Sequence, residues 1–135
     1  MVATSLRLIV VDDNHDAADS LGMVLRLHDY EVCVTYEGQL ALQAARAFSP
    51  DAMLIDIAMP CMDGLRLARL VRQEPALDRT MLIAVTGHTD ARIAQSAREA
   101  GFDHFLLKPF DVSALLALLQ TVAAVNSGSG TLLAT

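Results

Sequence analysis

Apolar positions along the chain fall into two patterns that alternate. The runs Leu8–Val11, Ala52–Ile55 and Met81–Val85 are short, rich in Val, Ile and Leu, and lack polar alternation, as expected of strands covered on both faces. Between them, Asp16–His28, Gln39–Phe48, Gly64–Gln73 and Asp90–Ala100 carry apolar residues at spacings of three and four, which predicts helices with one buried face. Glu31–Thr35 and His104–Leu107 add two strands, and Val112–Ala124 a last helix. Five strand–helix alternations require right-handed crossovers, and so predict a doubly wound α/β domain: a parallel sheet with helices on both faces.

Local punctuation agrees with these boundaries. Ser49-Pro50 precedes the third strand, Asp63-Gly64 opens the third helix with Asp63 as its cap, Gly101 ends the fourth helix and Pro109 stops the fifth strand. No repeat or second domain fits. The division expected is a lead over 1–5, one domain over 6–125 and a tail over 126–135, whose Asn126-Ser127-Gly128-Ser129-Gly130 has the composition of a flexible linker.

Composition narrows the class. A chain of 135 residues with 53% hydrophobic content can build one real core. Ten Lys and Arg against sixteen Asp and Glu leave a net charge of −6, with no basic cluster to track phosphates, so direct nucleic-acid contact is not expected. No apolar run reaches membrane-spanning length, and Met1–Ser5 lacks the basic and apolar regions of a signal peptide; the expectation is a cytoplasmic protein without membrane insertion. Cys33 and Cys61 have no CxxC spacing, and His15, His28, His88 and His104 share no metal spacing. Neither a disulfide framework nor a zinc site is indicated.

In open parallel sheets, ligands bind beyond the carboxyl ends of the strands. The polar residues at those ends form a consistent set: Asp12 and Asp13 after the first strand, Asp56 after the third, Thr86 after the fourth and Lys108 after the fifth. Three converging carboxylates would repel by roughly 4 kcal/mol per close pair at an effective dielectric near 20. A divalent cation offsets that repulsion, and oxygen ligands without His or Cys favour Mg2+. Metal, Lys108 and the Thr86 hydroxyl could then surround a phosphoryl group carried on a carboxylate.

Val10-Val11-Asp12-Asp13, Asp56 with Met59-Pro60-Cys61-Met62-Asp63-Gly64, Thr86-Gly87 and Lys108-Pro109-Phe110 resemble the receiver domain of two-component response regulators, over roughly Leu6–Val125. The resemblance implies a flavodoxin-like sheet in the order 2-1-3-4-5. It further implies that Asp56 is the phospho-acceptor, that Asp13 and Asp56 ligate magnesium directly, that Asp12 does so mainly through water, and that the Ala58 carbonyl is the remaining protein ligand. Lys108 would bind a phosphoryl oxygen, Thr86 and Phe105 would form the conformational switch, and Gly87 would keep space beside the phosphoryl site. Ala58 and His88 match positions that modulate phosphoryl lifetime. Implied partners are a histidine kinase or histidine phosphotransfer protein and a downstream protein target, for a stand-alone receiver or part of a hybrid kinase.

Other functions compete on specific residues. A magnesium-dependent phosphatase with an aspartyl nucleophile would place a second acid two residues after Asp56, where Ala58 stands. A flavin or nucleotide carrier is disfavoured by the loop Asp12-Asp13-Asn14-His15-Asp16 and by the absence of GxGxxG and GxxxxGK[ST]. A non-phosphorylated scaffold would have no use for the complete acidic set. The reading is a phospho-accepting regulatory domain rather than an enzyme.

In the last helix, Val112, Leu115, Leu118, Leu119 and Val122 recur at core spacing, leaving Ala114, Leu116, Ala117, Gln120, Ala123 and Ala124 outside. That uncharged outer side predicts a partner face centred on Leu116, serving a homodimer or a helical histidine-bearing partner.

Overall fold

The computed structural model describes residues 6–57, 63–87 and 91–122. The chain forms β1 (Arg7–Val11), α1 (His15–Leu27), β2 (Glu31–Thr35), α2 (Gly38–Phe48), β3 (Ala52–Asp56), α3 (Gly64–Arg72), β4 (Met81–Thr86), α4 (Ala91–Ala100) and β5 (His104–Leu107). Residues 112–122 are helical and are called α5. Among the described residues the five strands pair in parallel in the order β2-β1-β3-β4-β5, the doubly wound topology expected. Ala58, Met59-Pro60-Cys61-Met62, His88, Ala123, Ala124, the lead and the tail lie outside the described residues.

The continuous apolar runs are explained by burial on both sides. Ile9, Val11, Met53, Ile55, Leu82 and Ala84 face one way, against Ala41, Leu42 and Ala45 of α2, Leu67, Ala68 and Val71 of α3, and Ala97 and Ala100 of α4. Leu8, Val10, Leu54, Ile83 and Val85 face the other way, against Ala18 and Leu25 of α1 and Leu115, Leu119 and Val122 of α5. Alternate strand residues point to opposite faces, so a central strand without polar residues fits only a sheet covered twice.

Two helices beside the carboxyl edge start on side-chain caps. The Asn14 side chain accepts from the Ala17 N–H at 3.0 Å, and Asp63 accepts from the Arg66 N–H at 2.8 Å, satisfying N–H groups that the first turn leaves without helical partners. Gly64 lets α3 begin directly against the end of β3: a Cβ there would lie 2.6 Å from the Ile57 Cα and 2.7 Å from the Asp56 carbonyl oxygen. The cap expected at Asp63 is therefore formed, and its neighbour owes its identity to backbone proximity.

The last helix differs from its reading. Leu116 is half-buried and packs against the cluster shared by α1 and α5, whereas the exposed positions are Ser113, Ala114, Ala117, Gln120 and Thr121. With Leu115, Leu116, Leu118 and Leu119 nearly consecutive, periodicity alone leaves the centre of the buried stripe undetermined. Packing centres it on Leu115 and Leu119, which draws Leu116 inward. The outer face is uncharged as expected, but Leu116 is not its exposed centre.

Candidate phospho-acceptor site

Strand register assembles the site. Val11 pairs with Ile55 across β1 and β3, so the next residues, Asp12 and Asp56, fall side by side. Asp56 pairs with Val85, and Thr86 with Leu107, just before Lys108. One carboxylate oxygen from each of Asp12, Asp13 and Asp56 lies within 4.8 Å of the others. Asp12 is 6% exposed, Asp56 half-buried and Asp13 exposed.

The Lys108 ammonium bridges this cluster, donating to Asp12 Oδ2 at 2.9 Å and to Asp56 Oδ2 at 3.4 Å. Its backbone is held by the Lys108 N–H donating to the Thr86 carbonyl at 2.7 Å. Burial works against the charge of Lys108, but the hydrogen bond to Asp12, attraction to Asp56 and Asp12, and the contact with Asp56 outweigh it. The pKa of Lys108 is consequently above the ordinary lysine value, and the group is cationic throughout the neutral range.

Thr86 is 1% exposed. It projects to the same face of β4 as Ala84, two residues earlier. Ala84 belongs to the cluster facing α2, α3 and α4, against which the half-buried Phe105 packs, and Ala84 pairs with Phe105 in register. Thr86 and Phe105 thus share one face of adjacent strands. Gly87 is exposed, and a Cβ there would meet nothing within 4 Å, so packing in this conformation does not demand glycine. Beside the cluster lies a cavity of about 490 Å³, whose walls include Asp12, Asp56 and Lys108 together with Val10, Leu21 and Phe110.

The chain matches the family model of the response regulator receiver domain over residues 8–120. The chain belongs to the response regulator receiver family. This receiver is 35% identical over 131 residues to the transcriptional regulatory protein PrrA of Mycobacterium tuberculosis, covering 95% of this chain and 54% of that protein. It thus spans about half the length of the curated relatives it matches. Among solved structures, the chemotaxis protein CheY4 of Vibrio cholerae superposes with a TM-score of 0.83 at 28% identity, over 88% of this receiver and 99% of that chain. The receiver domain of a sensor histidine kinase from Pseudomonas aeruginosa, described with a magnesium ion coordinated in its active-site cleft, gives 0.80 at 27% identity over 87% and 97%.

The receiver's sequence reading overlooked two features of the site. The Asn14 N–H donates to Asp12 Oδ1 at 2.9 Å, so Asn14 both orients Asp12 and caps α1; a capping residue directly before a periodic apolar stretch is a signal that could have found it. His15 of α1 stacks on Tyr36, just past β2. No local pattern links these two residues, because their meeting depends on strand pairing.

Proposed function

We propose that Asp56 accepts a phosphoryl group from a phosphohistidine of a histidine kinase or histidine phosphotransfer protein. The resulting acyl phosphate then switches a protein-binding surface through Thr86 and Phe105. The observation that carries this reading is the Lys108 ammonium bridging Asp12 and Asp56 beside Asp13. A donor set made only of carboxylates fits a hard cation, and Mg2+ suits it because it accepts a few direct carboxylates and leaves positions for phosphate oxygens. Asp13, Asp56 and the Ala58 carbonyl would hold the ion, with Asp12 acting mainly through water. When bound, magnesium supplies charge compensation for the carboxylates and for the phosphoryl oxygens.

In the transfer, an Asp56 oxygen attacks phosphorus while the P–N bond of the donor breaks, and that bond's electron pair stays on the imidazole nitrogen. Lys108 leaves the carboxylates to hold a phosphoryl oxygen, an interaction that grows as charge moves onto the group. The Thr86 hydroxyl donates to another phosphoryl oxygen, and Phe105 takes the space vacated on the same face. Ala58 and His88 flank the path of the hydrolytic water and set the phosphoryl lifetime, while Gly87 leaves room beside the group.

Asp56 is consumed as an acceptor, so the domain is regulatory rather than an enzyme acting on an outside substrate. The phosphatase alternative would need an acid where Ala58 stands, and an unphosphorylated scaffold would not need three clustered carboxylates with a lysine bonded to two of them. PrrA is a transcriptional regulatory protein and MtrA of Mycobacterium tuberculosis a DNA-binding response regulator, each about twice the length matched here. The segment in hand carries net charge −6 without a basic cluster, which favours a protein target over nucleic acid for this part. Among the described residues no helix is long and apolar enough to cross a membrane, in keeping with a cytoplasmic site of action. The uncharged outer face of α5 is the surface through which a homodimer would form.

Incubation with a small-molecule phosphodonor tests the assignment. Intact mass should rise by one phosphoryl group with Mg2+ and not with chelator, and Asp56→Asn should abolish the gain; undiminished labelling of that variant would refute it.

A further inference from the structure

Beside the acidic cluster, two segments from different strands are fastened together at two points. The first is a backbone contact, with the Asp12 N–H donating to the Thr35 carbonyl at 3.2 Å. The second is formed by side chains: the Tyr36 ring lies flat on the His15 imidazole, with centroids 3.7 Å apart and planes 13° from parallel. The Tyr36 hydroxyl donates to Asp19 Oδ1 at 2.6 Å, one turn along α1 from His15. That hydrogen bond, followed by partial burial and the charge of Asp19, raises the Tyr36 pKa and keeps the phenol in its donating form.

Asp13 sits between the two fastenings and is exposed. Its neighbour Asn14 is bonded back to Asp12 and forward to Ala17, so the loop from β1 to α1 has little freedom once His15 is held. We propose that the His15–Tyr36 stack, anchored by Asp19, is a positioning brace that holds the Asp12–Asp13 loop in the geometry a divalent cation requires. The inference rests on the proposed magnesium site. Mg2+ tolerates little departure from octahedral geometry, so an exposed carboxylate serves well only when its backbone is already placed. His15, Tyr36 and Asp19 are positioning residues that act through the loop.

The test titrates Mg2+ into the metal-free full chain at one pH and ionic strength, followed by calorimetry and by the amide resonances of Asp13 and Asp56. Loss of partners that orient metal ligands typically costs about 10–100-fold in affinity. The brace is one step further from the ion, so His15→Ala and Tyr36→Ala should weaken binding by about three- to tenfold. Tyr36→Phe keeps the stack without the Asp19 bond and should fall between these and the parent, whereas His15→Phe restores a ring and should bind as the parent does. Urea midpoints of the metal-free variants separate loss of fold from loss of positioning. Parent-like affinity in both alanine variants overturns the brace, and so does a His15→Phe variant as weak as His15→Ala. An Asp13→Asn control that binds Mg2+ as the parent does, or a parent that does not bind it, overturns the magnesium site itself and removes the basis of the brace.

Discussion

Arg72, at the end of α3, ties together three segments at the sheet edge opposite the acidic cluster. Its guanidinium donates to the Gly101 carbonyl at 2.9 Å, the Thr80 carbonyl at 2.9 Å and Asp103 Oδ2 at 2.7 Å, while the same Asp103 oxygen accepts from the Leu82 N–H at 2.9 Å. Gly101 has φ of 112°, and a Cβ there would lie 2.6 Å from Arg72 Cγ, so the turn after α4 is shaped around this side chain. Arg72→Met keeps the aliphatic stem and removes all three donations. Hydrogen bonds to charged groups contribute about 1.5–3 kcal/mol each when well buried. The Arg72 side chain is 25% exposed and that of Asp103 45%, so water recovers part of the loss and the Asp103 pair itself is worth under about 1 kcal/mol. Taking the low end for the two carbonyls and little for the ion pair gives a loss of about 2–3 kcal/mol. For a domain of this size that corresponds to a fall in melting temperature of roughly 6–10 °C. Urea unfolding followed by circular dichroism should show a lower midpoint with an unchanged slope. Magnesium-dependent labelling of Asp56 in the cold should persist, because the lesion is at the other end of β4. Stability within about 0.5 kcal/mol of the parent, the usual range for substitutions away from such features, would refute the reasoning.

Gly64→Ala should cost about 1–3 kcal/mol and also slow phosphorylation, since the new Cβ meets backbone beside Asp56 rather than a side chain that can swing away; urea midpoints and labelling rates check both effects. Thr86→Ala should still be phosphorylated but with smaller phosphorylation-induced NMR shifts at Phe105, and shifts equal to the parent's would contradict the switch. Leu116→Asp should destabilise by about 1–3 kcal/mol through burial of a charge against the α1–α5 cluster, while Gln120→Asp on the exposed side should stay within about 0.5 kcal/mol, as thermal melts would show.

Much of the fold was legible because burial on two faces leaves a local trace. Leu8–Val11, Ala52–Ile55 and Met81–Val85 had to be strands between two helical layers, and every break marked by Pro50, Asp63, Gly101 or Pro109 falls within two residues of an element end. The site residues were legible for a related reason: in a parallel sheet the residue that ends each strand lies at one common edge, so Asp12, Asp56, Thr86 and Lys108 could be grouped without knowing which strands are neighbours. Only the tertiary structure decided what depends on neighbours. Lys108 and Asp12, 96 residues apart, are hydrogen-bonded because the strand order β1-β3-β4-β5 sets the ends of β1 and β5 on either side of the β3–β4 pair, at one edge of the sheet. The inward turn of Leu116 follows from where α5 rests on α1 and the sheet, a choice that four nearly consecutive leucines leave open. The stacking of Tyr36 on His15 follows from the β1–β2 register, in which Val11 pairs with Thr35. Periodicity records how much of an element is covered, whereas identity of the covering partner is set by long-range packing, which leaves no pattern within either segment.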